Sequence, residues 1–70
     1  MKEIVSPMPG RIIKINISEG EYVEENAEVI ILESMKMEIP VSIQNPGKVI
    51  AINVTEGDAV SQGAVLLVME

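Results

Sequence analysis

The sequence predicts an all-β fold, a small closed or flattened antiparallel barrel, on three observations. Hydrophobic residues make up 47% of the 70-residue chain and most of them are Ile and Val, whose β-branched side chains favour strands. Apolar and polar residues alternate at period two, and short turn segments separate the runs. The chain also repeats itself, so the same strands occur twice. A barrel is predicted because closure removes the unpaired edges of a small sheet.

The internal repeat covers most of the chain. A shift of 37 positions aligns residues 9–33 with residues 46–70 without a gap, and ten of the 25 aligned pairs are identical. A repeat of this length indicates two similar halves, most simply related by a pseudo-twofold axis. We therefore predict a single domain, residues 1–70, because the chain is too short to hold a second hydrophobic core.

Each half is predicted to contain four strands in the same order. In the first half they are residues 2–5, an alternating strand that buries Ile13, Ile15 and Ile17, a short apolar step at Val23, and residues 28–33. In the second half they are residues 38–43, an alternating strand that buries Ile50, Ile52 and Val54, a step at Val60, and residues 65–69. No segment keeps a helical period long enough to compete with these strands.

Four glycines recur at the repeat spacing, and turn geometry is the predicted reason for all of them. Gly20 and Gly57 lie in turn tetrads at residues 18–21 and 55–58, where a positive φ angle favours glycine. Gly10 and Gly47 are interpreted in the same way. None of the four belongs to a phosphate-binding loop, because neither GxxxxGK[ST] nor GxGxxG is present.

The composition excludes several classes of function. The chain has no His and no Cys, so it offers no imidazole base, no thiol nucleophile, no disulfide and no zinc site of the usual ligands. Five Lys and Arg residues against 11 Asp and Glu residues give a net charge of −6, which argues against nucleic acid as a partner. We therefore expect no catalytic residue and no metal site in this chain.

The apolar runs and the N-terminal segment predict where the protein resides. The longest apolar runs are far shorter than the roughly 20 residues that span a bilayer, so no membrane insertion is expected. Residues 1–7 lack the apolar core of a signal peptide. A cytoplasmic protein is the resulting expectation.

Residues 34–37, Ser-Met-Lys-Met, are the segment that the repeat does not explain. They fall between two predicted strands and therefore form a hairpin tip, yet tight hairpins favour Asn-Gly or Asp-Gly at this place. A local conflict of this kind tends to mark a functional site. Two interpretations remain open from the residues alone. Lys36 is either an acceptor of a covalent group or a solvated lysine whose neighbours Met35 and Met37 fold back as gap fillers.

The tip and the chain start resemble a known family. Residues 33–37, ESMKM, resemble the E-A/S-M-K-M attachment motif of biotinyl domains, the biotin carboxyl carrier family, and residues 6–10, SPMPG, resemble the opening segment of that family. The resemblance covers essentially the whole chain. It implies a flattened antiparallel eight-stranded β-barrel, a barrel-sandwich hybrid with pseudo-twofold symmetry, whose modified lysine lies on the hairpin turn between the halves.

The same resemblance implies a carrier function. Lys36 would accept biotin covalently from a biotin protein ligase through an adenylated intermediate. Met35 and Met37 would be recognition and packing residues, and Glu33 would help to position the hairpin. The attached biotin would carry carboxyl groups between a biotin carboxylase and a carboxyltransferase or decarboxylase. The chain would then be a non-catalytic carrier domain or subunit, because the cofactor supplies the chemistry.

Two alternatives differ from this interpretation. Lipoyl carriers resemble the chain in the barrel, the hairpin lysine and a Glu three residues before it, but Asp and Ala usually flank their lysine where Met35 and Met37 stand here. Lipoate is therefore the alternative cofactor, and an acceptor of both groups is a further possibility. The second alternative is an unmodified interaction module that uses the two methionines as an adhesive tip.

Overall fold

The computed structural model describes residues 1–70, which form eight β-strands and no helix. The strands are β1 (Lys2–Val5), β2 (Gly10–Ile15), β3 (Tyr22–Val23), β4 (Glu28–Ser34), β5 (Met37–Ser42), β6 (Gly47–Ile52), β7 (Ala59–Val60) and β8 (Val65–Met69). The predicted all-β class and the eight strands are confirmed. The chain has no helix of the length and apolarity that a membrane crossing would require.

The strands pair into two four-stranded antiparallel sheets. The first sheet has the order β1-β8-β6-β3 and the second has the order β5-β4-β2-β7. A shift of 37 residues takes β1 to β5, β2 to β6, β3 to β7 and β4 to β8, so the two sheets have the same order with the halves exchanged. Each half contributes two strands to each sheet. Neither half can therefore build a complete sheet from its own strands.

The closed barrel expected from the sequence is not observed, because each sheet ends at unpaired edge strands. The first sheet ends at β1 and β3, and the second ends at β5 and β7. The reason is the length of β3 and β7, which have two residues each and pair only with β6 and β2, respectively. Strands this short cannot bridge from one sheet to the next. The chain is a sandwich of two sheets.

The predicted alternation in β2 and β6 is wrong at one equivalent position in each strand. The pairing register shifts around Ile13 in β2 and around Ile50 in β6, so each is the extra residue of a β-bulge. Because a bulge changes the face to which the neighbouring side chains point, Ile12 and Val49 are fully buried while Ile50 is 41% exposed. Ile17 is buried as predicted, although β2 ends before it.

The core lies between the two sheets and is aliphatic. It contains twelve buried side chains: Ile12, Ile17, Val23, Val29, Ile30, Leu32, Val41, Ile43, Val49, Leu66, Leu67 and Met69. Both halves contribute to it, which follows from the exchange of strands between the sheets. Aliphatic burial of this kind is the main favourable free energy of folding, at about 25 cal/mol per Å² of apolar surface removed from water.

Two glutamates join the halves through reciprocal hydrogen bonds. The main-chain N–H of Ile52 donates to Oε2 of Glu19 at 2.9 Å, and the main-chain N–H of Ile15 donates to Oε2 of Glu56 at 3.1 Å. Each glutamate therefore satisfies a backbone group at the end of the other half's long strand. Charge-assisted hydrogen bonds of this type are stronger than those between neutral groups.

The turns that carry these glutamates have the predicted geometry. Gly20 and Gly57 have φ angles of 89° and 99°, so the expected positive φ is confirmed at both. The N–H of Gly20 donates to the carbonyl of Val49 at 2.8 Å, and the N–H of Gly57 donates to the carbonyl of Ile12 at 2.7 Å. Each turn thus lies across the bulged strand of the other half.

Candidate functional site

Met35 and Lys36 form a tight two-residue turn between β4 and β5. The last residue pair of the hairpin is Ser34 with Met37. Met35 has a φ angle of 53° and Lys36 has a φ angle of 65°, the combination that a type I′ turn requires. For side-chain-bearing residues this left-handed region costs on the order of 1 kcal/mol each. The conflict between the tip sequence and its turn type is therefore present in the backbone itself.

The base of the hairpin is anchored in the core. Leu32 pairs with Ile39 two residues before the end of β4, and Leu32 is fully buried while Ile39 packs against the core. β4 is also paired on its other side, with β2. This base, the pair of Leu32 and Ile39, is the root of the hairpin and is held by the core and by β2. The tip is the part that projects into solvent.

The tip exposes one lysine between two methionines. Lys36 is exposed, Met35 is 92% exposed and Met37 is 62% exposed. Two large apolar side chains therefore meet solvent on either side of one amine. The second interpretation of the methionines, as gap fillers folded onto the core, is wrong for both residues.

Glu33 lies in a row of charged residues just below the tip. It pairs with Glu38 on β5 and with Arg11 on β2, and all three residues are exposed. Directly opposed residues of antiparallel strands point to the same face of the sheet. Two carboxylates and one guanidinium therefore share the outer face next to the hairpin. Glu33 and Glu38 repel each other in this arrangement, and Arg11 adds one positive charge to the same face from the other side.

The pseudo-symmetry of the fold shows which charged residues of this row recur in the second half and which are specific to the hairpin. In the second half, Lys48 and Glu70 stand where Arg11 and Glu33 stand in the first, and the N–H of Glu70 donates to the carbonyl of Lys48 at 2.9 Å. A basic residue beside an acidic one is thus a feature of both halves. Glu38 and the turn residues have no such counterpart, so they are specific to the hairpin.

Gly10 contacts the base of the hairpin and corrects one prediction. It lies in β2 without a positive φ angle, as does Gly47 in β6, so turn geometry is the wrong reason for both glycines. A Cβ on Gly10 would stand 2.8 Å from the carbonyl oxygen of Glu33 and 3.6 Å from the Cβ of Ser34. The absence of a side chain therefore lets β2 approach the last residues of β4.

The predicted site residues occupy one end of one hairpin. Lys36 and Met35 form its turn, Met37 begins β5, and Glu33 lies on β4 one pair below the turn pair. Sequence reasoning missed Arg11 and Gly10 as neighbours of this group. The signal for Gly10 and Arg11 was their recurrence in the repeat. Glu38 is two residues after Lys36 in the sequence, and the strand register places it opposite Glu33.

An open groove of about 370 Å³ lies elsewhere on the surface. It is lined by residues 2–5 of β1 and residues 42–45 at and after the end of β5. None of the turn residues lines it. The hairpin is therefore a protruding site, and its chemistry is that of a primary amine presented to solvent between two thioethers.

Comparison with known proteins agrees with this arrangement. The sequence matches the family described as "Biotin-requiring enzyme" over residues 2–69. The biotin/lipoyl attachment protein of Bacillus subtilis is 50% identical over 34 residues, 49% of this chain and 47% of that protein. The biotin carboxyl carrier protein of Streptococcus mutans is 52% identical over 33 residues, 47% of this chain and 25% of that protein.

A solved structure extends the similarity to the whole fold. The urea carboxylase of Kluyveromyces lactis superposes with a TM-score of 0.91 and 35% identity over 99% of this chain. The match covers 6% of that enzyme. Each of these matches spans less than half of the relative's own length.

Proposed function

The chain belongs to the family of biotin-requiring enzymes, and from that premise we propose that it is a biotin carboxyl carrier modified covalently on Lys36. The observation that carries the proposal is the position of Lys36 in the exposed turn between two exposed methionines, on a hairpin whose root is buried. A rigid base and a free amine are what an attachment site needs.

The residues at the tip fit a covalently bound biotin. Lys36 offers a primary amine at the end of a flexible four-carbon stem, and it is exposed. Once deprotonated, the amine attacks the carboxyl carbon of an adenylated biotin supplied by a biotin protein ligase. An amide bond forms, the adenylate leaves, and a proton passes to solvent or to a base of the ligase.

The neighbours of Lys36 have separate roles in this proposal. Met35 and Met37 supply apolar surface that the ligase buries when it binds the tip, since thioether side chains adapt to irregular contacts. Glu33 and Glu38 place two negative charges beside the tip, and Arg11 adds one positive charge to the same face of the sheet. Glu33 thus positions the hairpin through its strand pairing.

The domain then acts as a carrier and does not itself catalyse a reaction. Attached biotin supplies the carboxyl-carrying chemistry, and the chain supplies the tether. The projecting hairpin allows the same group to reach a biotin carboxylase and a carboxyltransferase or decarboxylase in the cytoplasm. Tethering makes both encounters effectively intramolecular and so raises the local concentration of the group.

The intact mass of the protein tests the proposal. The chain is co-expressed with a biotin protein ligase and supplied with biotin, and a gain equal to biotin less one water is expected. Lys36→Ala should abolish the gain and leave the circular dichroism spectrum of the fold unchanged, because the side chain is exposed. Lys14→Ala is the matched control, since Lys14 is an exposed lysine of β2 and should not affect labelling. Labelling that persists in Lys36→Ala overturns the site.

Lipoate is the second candidate for the attached group. The Bacillus subtilis relative is named a biotin/lipoyl attachment protein, and the hairpin lysine would serve either group. Supplying both biotin and lipoate with their ligases separates the candidates by mass. A lipoyl increment alone favours the lipoyl carrier, and both increments favour a dual acceptor. The absence of both increments favours the unmodified interaction module.

A further inference from the structure

The exposed sulfur atoms of the chain are concentrated at the tip. Met35 and Met37 are 92% and 62% exposed, whereas Met69 is 2% exposed and Met8 packs against the core. Met1 is also exposed, at 93%. The two methionines within the folded strands and turns that meet solvent freely are therefore those on either side of Lys36.

Oxidation of this chain is directed to its thioethers. The sequence contains no Cys, no His and no Trp, so methionine is its most readily oxidised side chain. Hydrogen peroxide transfers one oxygen atom to the sulfur, which loses two electrons and becomes a sulfoxide, while the peroxide is reduced to water. Accessibility decides which sulfur reacts, because a buried thioether such as that of Met69 does not meet the oxidant.

We propose that Met35 and Met37 are a reversible oxidation site that controls the modification of Lys36. The inference rests on the proposed attachment at Lys36. Each sulfoxide replaces an apolar thioether by a polar group that must lose its water when the ligase covers the tip. Oxidation thus makes the tip a poorer ligase substrate. Methionine sulfoxide reductases restore the thioether with two electrons from a dithiol, which becomes a disulfide while the oxygen leaves as water.

The fold does not depend on these two side chains. Their exposure means that oxidation removes no core contact, and Leu32 and Ile39 continue to hold the root of the hairpin. The oxidised protein therefore remains folded, and the effect is confined to recognition. Oxidation of the tip therefore differs from general oxidative damage, which would expose the core.

The test compares ligase kinetics before and after oxidation. The full chain is treated with hydrogen peroxide, the peroxide is removed, and peptide mass spectrometry locates each added oxygen. We expect Met35 and Met37 to react ahead of Met8 and Met69. We also expect kcat/KM for biotinylation to fall by about tenfold or more, in line with the cost of burying an unpaired polar group. Treatment with sulfoxide reductases should restore the rate.

Two variants assign the effect to the tip. Met35→Leu with Met37→Leu removes both sulfurs, and its treated sample is compared with its own untreated sample, so any change in basal rate cancels. This variant should lose sensitivity to peroxide, while Met8→Leu should keep it. The proposal is overturned if oxidised tips are labelled at the untreated rate, or if reductase treatment restores nothing. If the untreated protein accepts no biotin, the proposed function fails instead.

Discussion

Gly10 and Glu33 lie so close on neighbouring strands that a Cβ on Gly10 would stand 2.8 Å from the carbonyl oxygen of Glu33. The same relationship occurs in the other half, where a Cβ on Gly47 would stand 2.7 Å from the carbonyl oxygen of Glu70. Both contacts are shorter than a carbon and an oxygen tolerate, so the added methyl group must displace backbone.

Gly10→Ala is expected to displace the base of the Lys36 hairpin. Because Glu33 is paired on both sides within β4, its backbone cannot move freely, and we expect a loss of about 1–3 kcal/mol in the free energy of unfolding. Urea denaturation measures this loss, and kcat/KM for biotinylation should also fall because the turn changes position.

Gly47→Ala is the matched control for that prediction. It creates the same clash in the second half, where Glu70 lies beyond the end of β8 and can move more easily. The loss of stability should be smaller and the labelling rate unchanged. Equal slowing of labelling in both variants would show that the Gly10 contact acts through stability alone.

The positive φ angles of the turn predict that replacing Met35 and Lys36 raises the stability of the fold and removes the site of modification. Met35→Asn with Lys36→Gly places the residues that a type I′ turn prefers at φ angles of 53° and 65°, and should raise the free energy of unfolding by about 1 kcal/mol. For a domain of this size that corresponds to a rise of about 4–8 °C in Tm. The variant should accept no biotin, because it lacks the amine.

Asn26 supplies the comparison for this turn variant. It has a φ angle of 66°, and its equivalent in the second half is Gly63 with a φ angle of 85°. Since Asn tolerates the left-handed region, Asn26→Gly should change Tm by less than the turn variant does. If the Tm of the turn variant is at or below that of the original chain, the positive φ angles of Met35 and Lys36 do not destabilise the fold.

The reciprocal hydrogen bonds of Glu19 and Glu56 predict that removing either glutamate lowers the free energy of unfolding by the same amount. Glu19→Ala removes the acceptor of the Ile52 N–H, and Glu56→Ala removes the acceptor of the Ile15 N–H. Each should lower the free energy of unfolding by about 1 kcal/mol, the net contribution of an accessible hydrogen bond. Thermal melts measure both, and Glu24→Ala, an exposed turn glutamate, should show almost no change. A loss for Glu24→Ala as large as that for Glu19→Ala would show that the hydrogen bond to the Ile52 N–H is not the cause.

Exchange of the flanking methionines should change which group is attached. Met35→Asp with Met37→Ala leaves Lys36 in place and substitutes the neighbours that are usual in lipoyl carriers. We expect biotin labelling to fall and lipoyl labelling to rise, as read from intact mass after incubation with both ligases. If neither increment responds, the methionines do not select the group.

Local sequence signals were sufficient for the tip. The conflict between Met-Lys and a tight hairpin was visible in the sequence, and the structure places both residues at positive φ. Gly20 and Gly57 were assigned correctly for the same reason, since a turn and its glycine are close in sequence. The strands predicted at residues 2–5 and 65–69 match β1 and β8.

Features that depend on distant contacts escaped prediction. The bulges at Ile13 and Ile50 lie where a turn of the other half crosses the strand, and no local pattern reports that crossing. The expected barrel required β3 and β7 to be long enough to join the sheets, which periodicity could not decide. The requirement for glycine at position 10 was explained wrongly because the backbone that it contacts, at Glu33, is 23 positions away in the sequence.

The exchange of strands between the sheets has a consequence for the order of folding. β4 and β5 are adjacent in the chain and can pair early, whereas β1 pairs with β8, so the first and last strands must meet across the whole chain. Such long-range closure is slow compared with the formation of a hairpin. A nascent chain on the ribosome can therefore expose Lys36 on a hairpin before β6 and β8 are synthesised and complete the core that holds the root of the hairpin. Attachment that depends on a fixed hairpin root would then select fully synthesised, folded molecules over unfinished ones.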